Sequence, residues 1–60
     1  AVAKIFNVKG DELQWSRYLR VEGPIEAVAF SQETGVLSLS VYSPDGSRIV
    51  MVQKDGKVQN

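Results

Sequence analysis

The chain has 60 residues, a hydrophobic share of 43%, and four Lys and three Arg balanced by seven acidic residues. It contains neither cysteine nor histidine, which excludes disulfides, thiolate metal sites and histidine-based acid–base chemistry. Zero net charge argues against a duplex-binding or polybasic membrane protein, since phosphate and anionic-lipid contacts need a positive excess.

A chain of this length is one small domain that buries only roughly 60% of the surface its unfolded form exposes. Without disulfides or a metal cage, association with other chains is the expected supplement to stability. No apolar run approaches the ~20 residues that span a bilayer, and no signal-peptide pattern opens the chain. The start Ala1-Val2-Ala3 is what a trimmed initiator methionine leaves. The default expectation is a soluble, cytoplasmic protein.

Glycines at positions 10, 23, 35, 46 and 56 punctuate the sequence at spacings of 13, 12, 11 and 10 residues. Most sit in polar turn contexts such as Pro44-Asp45-Gly46 and Lys54-Asp55-Gly56, where glycine supplies the positive φ of a tight reversal. Short segments at this spacing predict an all-β meander or small barrel.

The first segment, residues 3–8, sets Ala3, Ile5 and Asn7 against Lys4, Phe6 and Val8, the mixed pattern of an edge strand. In the second, 13–21, Leu13, Trp15, Leu19 and Val21 share a face that Arg17 interrupts; Gln14, Ser16, Tyr18 and Arg20 share the other. The third, Ile25–Phe30, has helix-favouring Glu and Ala, but Pro24 before it and Gly35 soon after leave little room, so it reads as a strand. In the fourth, 36–43, Leu37, Leu39 and Val41 alternate with Ser38, Ser40 and Tyr42, as in a half-buried strand. The fifth, 48–53, is β-branched and apolar on both faces, and a tight hairpin around residues 44–47 joins it to the fourth. After Asp55-Gly56 only the stub 57–60 remains.

Catalysis requires a positioned acid, base or nucleophile. The carboxylates lie mostly in or beside turns, where Asp bonds nearby backbone amides. The serines have no histidine to activate them, and neither Gly-x-Ser-x-Gly nor a phosphate-binding glycine loop is present. The expectation is a protein without catalytic residues, metal or cofactor. One constellation resembles a binding surface: Trp15, Arg17, Tyr18 and Arg20, two aromatics and two cations with no acid between them. Strand alternation divides them between faces, so the leading reading makes Trp15 a core anchor. Arg17 then reaches the rim or pairs with a carboxylate. The second reading is a nucleic-acid surface that Arg48, Lys54 and Lys57 extend.

The segments Val28-Ala29-Phe30-Ser31 and Tyr42-Ser43-Pro44-Asp45-Gly46-Ser47-Arg48-Ile49-Val50, followed by Asp55-Gly56, resemble one repeat unit of a WD40 or TolB-type β-propeller. The likeness covers about half the chain, lacks the Gly-His and Trp-Asp pairs, and occurs once. It implies either a propeller fragment or local convergence on a tight hairpin, and it transfers no functional residue. The combined reading is five antiparallel strands in a bent meander, an SH3-like or open barrel, that serves as a noncatalytic interaction module. It is expected to form a homo-oligomer or to bind another protein. Self-association is assigned to Arg48, Val50, Val52, Lys57 and Val58, with the stub pairing on a free edge of another copy.

Overall fold

The structure, a computed structural model, describes residues 1–59. Its regular elements are β1 Val2–Lys9, β2 Glu12–Arg20, β3 Ile25–Phe30, β4 Leu37–Val41, β5 Arg48–Val52 and β6 Val58–Gln59. The protein is thus all-β, and every paired neighbour runs antiparallel, as the meander pattern requires. The ladder is nevertheless interrupted. β1 and β2 form one two-stranded sheet, and β3, β4, β5 and β6 form a four-stranded sheet in chain order.

The first hairpin turns at Gly10, whose φ of 62° provides the left-handed residue of a two-residue loop between Lys9 and Glu12. Near this turn Asn7 opposes Trp15 while Val8 opposes Leu13, so Gln14 is an extra residue bulged from β2. The bulge breaks the alternation that grouped Leu13 with Trp15. Leu13 and its partner Val8 are 54% and 57% exposed instead of reaching the core.

The break between sheets falls at residues 21–24. Val21 exchanges backbone bonds of 2.8 Å with Ala1 in both directions, which extends the hairpin by one buried residue. The backbone then passes so close to Tyr42 that a Cβ on Gly23 would sit 2.4 Å from the Tyr42 carbonyl oxygen. Tyr42 donates its N–H to Pro24 O at 2.9 Å, so β3 starts already aligned with β4. Helix propensity in Ile25–Phe30 yields to this pairing: Val28 opposes Leu39 and Phe30 opposes Leu37.

The alternation expected in the fourth and fifth segments places Leu39, Val41 and Val52 inward, where they meet Ile5, Leu19 and Val21 of the hairpin. These six side chains are the buried core. On the opposite face of β5, Ile49 and Met51 remain 50% and 40% exposed. The stub contributes a sixth strand, since Val58 opposes Val52 and Gln59 opposes Met51. It pairs on its own chain because the Asp55-Gly56 reversal folds it straight back. Gln53 donates to Lys57 O and Gly56 to Gln53 O, with Gly56 at φ 93°. Asn60, the end of the expected stub, lies outside the described residues.

The molecule measures 38 × 22 × 16 Å and exposes 4601 Å². The scaling for folded monomers of this mass gives about 3,900 Å², so the fold leaves an unusual share uncovered. With so small a core, single truncations weigh heavily. Leu39→Ala is expected to cost about 2–5 kcal/mol, enough to abolish cooperative unfolding, whereas Leu13→Ala stays within about 0.5 kcal/mol. Urea unfolding followed by Trp15 fluorescence separates the two; equal losses would contradict the bulge.

Candidate interaction cleft

Three hairpin residues on the core-facing side are polar or only partly apolar, and each spends its polar atom on the β5–β6 turn. Trp15 Nε1 donates to Lys54 O at 3.1 Å, and Asn7 Nδ2 donates to the same oxygen at 3.4 Å. Arg17 donates through Nη1 to Gly56 O. Gly56 is buried beneath the Trp15 ring, which would lie 3.7 Å from an added Cβ. Trp15 is therefore a half-buried residue packed at the edge of the core, with its indole N–H anchored across the sheets. Arg17 takes backbone carbonyl oxygen rather than a carboxylate. Asn7 was not among the residues singled out from the sequence; its one signal there is a polar side chain in register with Ala3 and Ile5.

Tyr18 and Arg20 lie on the other face of β2, so the four residues singled out from the sequence do not form one surface. Tyr18 is 66% exposed, and Lys4 places Nζ 5.1 Å from its ring centroid and 5.3 Å from that of Phe6. This outer hairpin face thus presents two exposed rings around one ammonium group.

A cleft of 610 Å³ opens between the hairpin and the four-stranded sheet. One wall is the unbroken run from Arg17 to Glu22; the other contains Arg48, Ile49 and Val50. Alternate strand residues point to opposite faces, so a wall of consecutive residues is a strand edge seen side-on. Among the described residues β2 has no ladder partner on that side, because its sheet contains only β1 besides. On the β6 side, β5 is paired only at Met51 and Val52, leaving Arg48, Ile49 and Val50 without a ladder partner among the described residues. Val41 and Val58 complete an apolar floor.

All three arginines of the protein border this cleft, with Glu22 the one carboxylate residue among the described residues that line it. Arg48 Nη1 lies 3.4 Å from Glu22 Oε1, with both side chains well exposed, so the pair contributes at most about 1 kcal/mol and opens easily. Of the residues assigned to self-association, Arg48, Val50 and Val58 line the cleft. Val52 is 1% exposed within the core and is unavailable to a partner, and Lys57 is exposed in the last turn. Among the described residues no group of three His, Cys, Asp or Glu side chains could hold a metal ion. No described helix is long and apolar enough to cross a membrane.

The two arginines of β2 should respond differently to substitution. Trp15→Phe and Arg17→Ala each remove a donor from the last turn, with expected losses of about 1 kcal/mol or more, while Arg20→Ala stays within about 0.5 kcal/mol. Thermal unfolding of the three variants checks this ranking. No family model, curated protein or solved structure matches the chain.

Proposed function

We propose that the chain is a noncatalytic protein-interaction module that assembles with copies of itself. The observation that carries this reading is the uncovered end of the four-stranded sheet. The two-stranded hairpin cannot blanket four strands, and β3 lies at the uncovered side. Val28 and Phe30 oppose the core residue Leu39 and the partly buried Leu37 and so share their face, yet each is 62% exposed. The outer edge of β3 also has no ladder partner among the described residues. A second copy related by a twofold axis supplies both missing elements at once, with β3 against β3 and apolar side chains covering one another. On this reading the contact between copies runs through β3. Light scattering during size-exclusion chromatography is expected to report a dimer at micromolar concentration, and Phe30→Lys a folded monomer. A wild-type monomer under those conditions overturns the reading.

A second reading, single-stranded nucleic-acid binding, is favoured by the outer hairpin face. Phe6 and Tyr18 offer exposed rings for stacking, with Lys4 and Arg20 on the same side for phosphates. Balanced charge weighs against it, because such affinity comes mainly from counterion release. An oligonucleotide titration at low salt should show no saturable change in Trp15 or tyrosine emission; saturable, salt-sensitive binding lost in Tyr18→Ala would favour this reading over the first.

The propeller-like residues have local roles that support convergence. Ser43 Oγ accepts the Asp45 N–H at 3.4 Å, and Gly46 donates to Ser43 O at 3.0 Å. Any hairpin closed in this way draws on the same residues.

A further inference from the structure

At the end of the strands away from the arginine cleft lies a second concavity, built from two adjoining parts. We propose that it binds a small amphipathic anion, with an apolar ring or short chain in the inner part and a carboxylate at the mouth. The proposal does not rest on the β3 contact between copies, although Phe30 belongs to both.

The inner part is a recess of 110 Å³ at the margin of the core, where Ile5 and Trp15 of the hairpin meet Leu37 and Phe30 of the larger sheet. The two sheets do not close fully here. Leu39 and Val41 are buried deeper in the same interface, whereas Leu37 is only partly buried and Phe30 is largely exposed. The volume is of the same order as the ~150 Å³ apolar cavity that admits benzene, so the recess takes part of one ring or a short chain. Trp15 Nε1 and Asn7 Nδ2 are already committed to Lys54 O, so the recess offers a ligand apolar surface rather than donors.

The outer part is a cleft of 590 Å³. It shares Asn7, Phe30 and Gly35 with the recess, so one opens into the other. Lys9 and Lys54 line it, and Glu33 is the one acid among the described lining residues. Neither lysine has an ion-pair partner among the described residues. The Lys54 stem lies flush on Gly35, where an added Cβ would sit 3.0 Å from Lys54 Cβ. That stem is thereby held at the junction of the two parts. The bulged residue of β2, Gln14, lines the same cleft, in keeping with the use of bulges to re-aim a side chain.

Two cations and an amide donor beside an apolar recess match a ligand with one anionic and one apolar end. A cationic ligand would meet Lys9 and Lys54 as like charges. A wholly polar anion would leave the recess empty.

The test is a fluorescence titration of the full chain, because Trp15, its one tryptophan, borders the recess. Phenylacetate is the probe. Phenethylamine carries the same ring on a cation, and acetate carries the same charge without a ring. Phenylacetate is expected to change Trp15 emission saturably, with a Kd on the order of 1 mM. Phenethylamine should bind at least about tenfold more weakly, and acetate should give no saturable change. K9E and K54E should each weaken phenylacetate binding about threefold or more. Leu37→Phe, which fills the recess, should abolish binding; thermal unfolding confirms that each variant is folded, and the lysine variants decide if Leu37→Phe is not. Equal affinity for phenylacetate and phenethylamine, a matching response to acetate, no saturable response, or binding undiminished in both lysine variants overturns the proposal. The lysines lie outside β3, so light scattering should report the same assembly state for K9E, K54E and the wild type. A wild-type dimer that does not bind phenylacetate overturns this proposal alone, and a wild-type monomer that binds it overturns the β3 reading alone.

Discussion

The fold depends on the docking of a two-stranded hairpin onto a four-stranded sheet. A lone hairpin is marginal in water, and a single sheet with one apolar face is little better. Each sheet makes the other possible by burying Ile5, Leu19 and Val21 against Leu39, Val41 and Val52. Six buried side chains are a small core, and the structure reinforces it with polar contacts at the rim. Asn7, Trp15 and Arg17 send donors across to the carbonyls of Lys54 and Gly56. Those carbonyls belong to a turn and accept no ladder bond there, so the hairpin satisfies backbone groups that would otherwise need water.

The short last strand becomes intelligible in this light. Its two paired residues, Val58 and Gln59, add little ladder. The turn ahead of it matters more. Gly56 must adopt φ 93° and lie flat under the Trp15 ring, and its neighbours must present carbonyls toward the hairpin. The turn is the docking point between the sheets, and the strand holds the turn against β5.

Much of the architecture was legible in the residues. Period-2 alternation placed Leu37, Leu39 and Val41 on one face, Pro24 and Gly35 bracketed a strand despite helix-favouring Glu and Ala, and Asp-Gly pairs marked two reversals. The site was less legible. Arg17 looked like a flaw in an apolar face and Asn7 like an edge residue, since both act on carbonyls at least 39 residues away in sequence. Leu13 looked buried because a bulge at Gln14 leaves no mark in a pattern of apolar positions. Val52 looked like a contact surface because a strand apolar on both faces does not say which face meets its own core.

The amino-acid sequence by itself determined that this protein is all-β, antiparallel and built from short segments between glycine turns. Those properties are local: they follow from side-chain alternation and from φ values that only glycine adopts cheaply. Only the tertiary structure decided that the meander breaks into two sheets at Gly23. It also decided that the last turn is clasped by the hairpin and that three arginines gather around one cleft. These features depend on which backbone groups of distant segments meet. Such meetings are set by the burial of both sheets together, a quantity that no single segment carries.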